Sequence, residues 1–181
     1  PKGVGWPNYN AGYIDQCKNR VTPGFGHTSL GDGTGGRQTQ AHLHWSGGGS
    51  HTHNDNLTFG LYAFQRELYG DPGYSWAGYA RSPYGHNTVL INGLNPYTGQ
   101  GRIGNNLFHA PNLPGLSVAR IDHTEDYHQR IASVDRYRRT VALNTTDLDH
   151  PYVIDLFEVF GGNLHEFFLQ GSMRDRMQAD C

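Results

Sequence analysis

The sequence predicts an all-β protein, an antiparallel β-sandwich, on three observations. Glycine is used heavily, 25 of 181 residues, while aromatic residues reach 12% and charged residues only 17%. That balance favours turn-rich sheet over helix. Short runs of alternating apolar and polar residues recur along the chain between clusters of Gly, Asn, Pro and Asp, and no segment shows a long amphipathic helix pattern or an internal repeat. A chain of 181 residues is long enough for one good-sized core without a second domain.

Taken in order, residues 1–38 are rich in Gly, Asn, Pro and Thr and read as a loop-rich N-terminal arm. The run from Gly31 to Gly36 is not a phosphate loop, because the Lys-Ser/Thr ending is missing. Residues 39–181 are the expected sandwich domain. Thr39 to Trp45 alternates as a strand and is broken by Gly47, Gly48 and Gly49. Asn56 to Phe64 alternates again, with Leu57, Phe59, Leu61 and Ala63 on one face. Gln65 to Glu67 should turn the chain, and Leu68 to Tyr69 should return until Asp71-Pro72-Gly73 stops it. His86 to Ile91 forms a further run before Asn92-Gly93, a hairpin signal. After an expected loop from Asn95 to Pro114, strands are predicted at Leu116–Ile121, Gln129–Val134, Tyr137–Leu143, Tyr152–Phe160 and Leu164–Gln170. The end, Arg174 to Cys181, has no terminating pattern, and a truncated domain is expected.

Charge narrows the partners. The net charge of −2 argues against a nucleic-acid surface. Of 14 basic residues only Lys2 and Lys18 are lysines; arginine suits bidentate contact with carboxylate or sulfate, although genomic base composition explains the bias equally well. No apolar run approaches the roughly 18 residues that cross a bilayer, so no membrane partner is expected. Cys17 and Cys181 lie near opposite ends, and their pairing cannot be deduced. The sequons at Asn56 and Asn144 are short patterns that match by chance.

The densest polar cluster runs from Ser50 to Asn56 and includes His51, His53 and Asp55. On a strand, His51 and His53 would share a face. Asp71 and His86 lie at the ends of the neighbouring predicted strands, so a hairpin could assemble a His53/Asp71/His86 set suited to zinc. An HxH pair is equally compatible with surface or backbone-bonded histidines, and Asp-Pro-Gly is also an ordinary turn. His42 and His44 alternate on one face just upstream, with an exposed strand as the plainer reading. His109, His123, His128, His150 and His165 show no partner pattern.

The run His51-Thr52-His53-Asn54-Asp55-Asn56-Leu57-Thr58-Phe59 resembles the HGHxDxLSF-type signature of heparinase II/III-like polysaccharide lyases, a group that includes oligo-alginate lyases. It is followed by Leu61 to Leu68, by Asp71-Pro72-Gly73-Tyr74, and by Arg81-Ser82 with His86-Asn87-Thr88-Val89, similar to the family's hairpin, "DPG" and "RS…HNTV" segments. A weaker echo lies in Asp155-Leu156-Phe157, Gly161-Gly162 and His165 to Leu169. The similarity spans about residues 42 to 171. Thr52 replaces the usual Gly, and the interval from Asp71 to His86 is short.

The resemblance implies the C-terminal β-region of enzymes that pair it with an N-terminal helical toroid and cleave uronic-acid polysaccharides by β-elimination. No such toroid is expected within these residues. The resemblance further implies metal ligation by His53, Asp71 and His86, with structural zinc or another divalent ion, and His51 facing the cleft as a catalytic candidate. Asp55 is then a supporting hydrogen-bond residue or a substitute ligand. A tyrosine after the metal-binding Asp makes Tyr79 and Tyr84 catalytic candidates, each equally at home as packing. Arg81 and Trp76 are candidates for substrate binding, through uronate charge and sugar stacking. An acidic polysaccharide partner and a secreted or periplasmic location follow from the family. A non-catalytic, metal-stabilised sugar-binding or structural sandwich is the alternative; a metal hydrolase lacks a clear general base.

Overall fold

In the computed structural model, which describes residues 19–46, 53–73, 78–96 and 104–172, the alternating runs become antiparallel strands. A five-stranded sheet contains β1 (Arg20–Thr22), β2 (His27–Asp32), β3 (Thr39–His44), β4 (Phe59–Ala63) and β5 (Arg66–Tyr69), in that order across the sheet. A four-stranded sheet runs β10 (Tyr152–Phe160), β9 (Arg136–Asn144), β8 (Leu116–Asp122), β7 (Asn105–Leu113). β6 (Val89–Ile91), between the two sheets in sequence, pairs with β11 (His165–Phe167), which follows both. Two short helices, α1 (Gly78–Arg81) and α2 (Thr124–His128), are the α-helices of the described residues.

The period of two decides which faces meet. In β3, Thr39, Ala41 and Leu43 are buried and alternate with partly exposed Gln40, His42 and His44. In β9, Tyr137, Arg139, Val141 and Leu143 point inward in the same way. One core joins the two sheets: Leu30, Leu43, Trp45 and Phe59 from the first pack in a cluster with Ile121, Tyr137, Val141 and Leu143 from the second. This is a sandwich, as its alternating strands require.

Several local features differ from the sequence pattern: β4 begins only at Phe59, after a turn, and Arg66 and Glu67, expected in a turn, already lie in β5. Arg20–Thr22 and His27–Asp32, inside the segment expected as a loop-rich arm, form β1 and β2 and pair with the first sheet. The expected loop from Asn95 to Pro114 contains β7, an edge strand whose pairing with β8 shifts register between Asn106 and Phe108 and between Ala110 and Leu113. Edge position and these irregularities accommodate Pro111, which a regular central strand would not. The predicted strand at Gln129–Val134 is absent: α2 precedes it, and Asp122 Oδ1 accepts the Thr124 N–H at 3.1 Å as the helix begins. Acidic Glu125 and Asp126 in the first turn suit that end of a helix. The turn at Pro114-Gly115 is tight: Gly115 has φ 64° and lies against the Thr146 backbone, leaving no room for a Cβ.

On the outer face of the first sheet, burial and the neighbouring His42 and His44 rings pull the His27 pKa down to about 4. An unfolded histidine titrates near about 6.5. Between those values the unfolded chain binds more protons, so stability is fullest above the upper value and is lost as the pH falls towards the lower one. The loss from this group is at most about 3 kcal/mol. Urea midpoints should therefore fall on acidification, and His27→Gln should flatten the slope. An unchanged slope in that variant would contradict the assignment.

Candidate metal centre

Three chain segments meet at the end of β4 where the chain enters it. The first is a turn, Asp55 to Thr58, closed by the Thr58 N–H donating to the Asp55 carbonyl at 2.8 Å. Leu57 takes the third position with φ 61°, a conformation that favours Gly or Asn. It is held from both sides: its N–H donates to the His44 carbonyl at 2.9 Å, and its own carbonyl accepts Arg139 Nη1 at 2.6 Å. The Asn54 N–H donates to the Arg81 carbonyl at 3.0 Å, which ties the segment to α1.

The second segment is Asp71-Pro72-Gly73, where Asp71 Oδ1 accepts the Gly73 N–H at 2.6 Å and so fixes the carboxylate. The third is His86 to Thr88. Asn87 Nδ2 donates to the Phe59 carbonyl at 2.8 Å, the Asn87 N–H donates to Thr58 Oγ1 at 3.1 Å, and Thr88 Oγ1 donates to the Asn56 carbonyl at 2.9 Å. Each residue after His86 thus binds the strand or turn beside it.

Arg139 joins these pieces from β9. It is wholly buried, pairs bidentately with Asp155 (Nε–Oδ1 2.8 Å, Nη2–Oδ2 2.6 Å), and lies between the rings of Phe59 and Phe157, 5.2 and 5.1 Å from their centroids. Its Nη1 donates to the carbonyls of both Leu57 and Asn87. One guanidinium therefore satisfies two buried backbone acceptors, one in each histidine-bearing segment.

The result is a tight donor cluster. His53 Nδ1 lies 3.1 Å from His86 Nε2, while Asp71 Oδ2 lies 3.3 Å from His86 Nε2 and 3.5 Å from His53 Nδ1. An oxygen of Asp55 completes a set of four donors within 4.8 Å of one another, the group of this kind found among the described residues. His86 Nδ1–H donates to the Ser82 carbonyl at 2.8 Å, so an ion that displaced the proton Nε2 shares with Asp71 would meet the Nε2 lone pair aimed at the cluster, as a ligating imidazole requires.

Electrostatics agree with that geometry. Burial pushes the Asp71 carboxyl up, but hydrogen bonds from His86 and the Gly73 N–H outweigh it and hold the group below the usual carboxylate range. Burial pulls His86 down, yet the bond to Asp71, the charge of Asp55 and the Ser82 carbonyl raise it above an ordinary histidine. The same negative field favours a cation at Nε2. Asp55 Oδ1 is buried without a hydrogen-bond partner, an unmet need that a cation would fill. The separations of 3.1–3.5 Å among the His53, Asp71 and His86 donors match the roughly 3.3 Å between neighbouring donors of a tetrahedral zinc site, with the second carboxylate, Asp55, within 4.8 Å of them. This His/Asp cluster can hold a metal ion.

His53, Asp71 and His86 are thus brought together. His51 and Trp76, like Cys17 and Cys181, lie outside the described residues. Tyr79 and Arg81 sit on α1 and are exposed, and Tyr84 is exposed with its ring edge-on to Phe168 at 5.0 Å. Tyr79 also lines a shallow depression with Gly70, Pro72, Gly85, Gln170 and Gly171, beside Asp71 in sequence. Arg139 carries no signal in the sequence, Asp155 stands there only in the weaker family echo with no role attached, and the bond between Arg81 and Asn54 is not foreshadowed.

Residues 37–161 match the family model described as "Heparinase II/III-like, C-terminal". The chain belongs to that family. Solved structures agree on the fold of this heparinase II/III-like chain. The heparan sulfate lyase HepC from Pedobacter heparinus is 19% identical, with TM-score 0.59, over 76% of this chain and 22% of that one. A heparinase III structure is 20% identical, with TM-score 0.58, over 76% of this chain and 21% of that one. "Heparinase III-BT4657 gene product" is 17% identical, with TM-score 0.56, over 76% and 22% respectively. The chain thus corresponds to about a fifth of those lyases' length. No match is found among curated proteins. Among the described residues no helix is long and apolar enough to cross a membrane.

Proposed function

We propose that this chain is the β-region of a polysaccharide lyase that cleaves an acidic, uronic-acid-containing polysaccharide by β-elimination. The observation that carries the reading is the convergence of His53, Asp71 and His86 on one point within a heparinase II/III-like domain. In such a reaction a base takes the proton at C5, and its electron pair becomes the C4–C5 double bond. The C4–O4 bond breaks, and O4 leaves with a proton.

His53, Asp71 and His86 would hold the ion, zinc by the character of the donors, with Asp55 as a fourth donor or a supporting charge. When bound, the ion supplies cross-linking of three separate segments, and this structural role needs no Lewis-acid step. His51, two residues before His53, is assigned proton transfer. Tyr79 and Tyr84 offer exposed hydroxyls from the segment tied to the cluster, one of them suited to protonating O4. Arg81, exposed on α1, is assigned neutralisation of the uronate carboxylate, and Trp76 is assigned stacking on a sugar ring. The remaining wall of the cleft is assigned to a helical toroid outside this sequence, and the enzyme to a secreted or periplasmic location.

Unsaturated uronates absorb in the ultraviolet. Zinc-loaded polypeptide carrying this sequence should raise that absorbance on at least one of alginate, heparan sulfate, chondroitin or hyaluronan. His51→Ala should retain metal and lose turnover by roughly a hundredfold or more. Saturable sugar binding with no unsaturated product on any polymer would instead establish a non-catalytic, metal-stabilised sugar-binding domain.

A further inference from the structure

A second set of imidazoles lies on the outer face of the first sheet, outside the cluster just described. Antiparallel pairing sets His27 directly opposite His44, and Ser29 opposite His42, so the period of two puts all three histidines on one face. The other face of β3 carries the buried residues Ala41 and Leu43. His27 Nε2 is 3.1 Å from His42 Nδ1, with ring centroids 5.3 Å apart, and the His44 ring lies 6.5 Å from that of His27.

Hydrogen bonding gives the donors a direction. His42 Nε2–H donates to Gln40 Oε1 at 3.3 Å, which turns the Nδ1 lone pair towards His27. One imidazole orients its metal-facing nitrogen this way when the other ring nitrogen binds an oxygen acceptor. The spacing of 3.1 Å between His27 Nε2 and His42 Nδ1 is that of a shared proton or of two ligands on one ion, which stand roughly 3.3 Å apart around zinc. His44 Nε2 now bonds Ser46 Oγ at 2.6 Å and lies 3.8 Å from Asp55 Oδ2; a side-chain rotation that releases both would bring it in as the third donor. Partial exposure of all three rings leaves a route for an ion and room for water in a fourth position.

We propose that His27, His42 and His44 form a second transition-metal site, a three-imidazole site for zinc or a similar borderline-soft divalent ion. It shares no ligand with the His53/Asp71/His86 cluster, although His44 stands 3.8 Å from that cluster's Asp55, and it does not depend on lyase activity. The donor set excludes calcium and magnesium, which require oxygen ligands.

The test uses the purified full chain, stripped of metal and titrated with Zn²⁺ alone. Wild type should bind two equivalents, and His27→Gln and His42→Gln one each with unchanged far-UV circular dichroism. His53→Ala should lose the other equivalent and keep this one. Histidine side-chain nitrogen resonances of the wild type give an independent reading that no variant's folding can disturb: those of His27 and His42 should shift as the second equivalent binds. A wild-type stoichiometry of one that His53→Ala abolishes and His27→Gln retains would overturn the proposal. So would both equivalents surviving in His27→Gln or His42→Gln, or His27 and His42 resonances that never move.

Discussion

Arg139→Met is expected to cost on the order of 3–5 kcal/mol of stability, and to lower Tm by roughly 10 °C or more. Arg139 is completely buried and serves four acceptors: both Asp155 oxygens and the carbonyls of Leu57 and Asn87. Methionine fills much of the space between Phe59 and Phe157 but donates to none of them. Asp155 is partly exposed and can recover some hydration, whereas the two carbonyls sit where the protein interior closes over them. Each unsatisfied buried group costs about 1–3 kcal/mol, so the carbonyls account for most of the loss. The double variant Arg139→Met/Asp155→Leu should therefore recover only a minor part of it. Urea unfolding of the two variants measures this directly; a loss below about 1 kcal/mol for Arg139→Met would mean that the guanidinium does not hold the two segments. Because Leu57 is kept at φ 61° partly by this bond, the variant should also bind metal more weakly.

His86→Ala should abolish the gain in Tm that the first equivalent of zinc gives the wild type. A site at a hundred times its Kd adds about 2.7 kcal/mol to stability, equivalent to roughly 5–10 °C in a domain of this size. His86 supplies the most buried of the donors, its ring fixed by Ser82 and its Nε2 facing both His53 and Asp71. Alanine removes the ligand and leaves the other donors without their closest neighbour. Thermal melts at one equivalent of zinc and in chelator separate this from a general loss of fold. A zinc-dependent rise in His86→Ala equal to that of wild type would remove His86 from the site.

The candidate donors were legible because short-range rules place them. The signature from His51 to Phe59, the Asp71-Pro72-Gly73 turn and the His86 segment each have local chemistry that fixes a side chain, and their order along the chain identified the family. Arg139 was not legible. It is one of three arginines in the alternating run Arg136 to Arg139, and two of its acceptors are backbone carbonyls from Leu57 and Asn87, distant in sequence. The histidine face of the first sheet was half visible: His42 and His44 share a face by period alone, but His27 lay in a segment whose Gly and Thr content suggested an arm. Pairing with β3 turns that segment into a strand. The β7 strand was hidden for a related reason, since its Asn and Pro residues speak for a loop unless an edge and its bulges absorb them. At Gln129–Val134 apolar content suggested a strand, while the acidic start of α2 in the preceding residues determined the path.

The central claim is that His53, Asp71 and His86 form one metal site that organises the heparinase II/III-like β-region. Asp71→Asn tests it most directly: the side chain is half exposed, so its replacement removes the negative donor while the core stays intact. After equilibrium dialysis against zinc, elemental analysis should find one equivalent less bound to Asp71→Asn than to wild type. Equal zinc content in the two proteins would contradict the account.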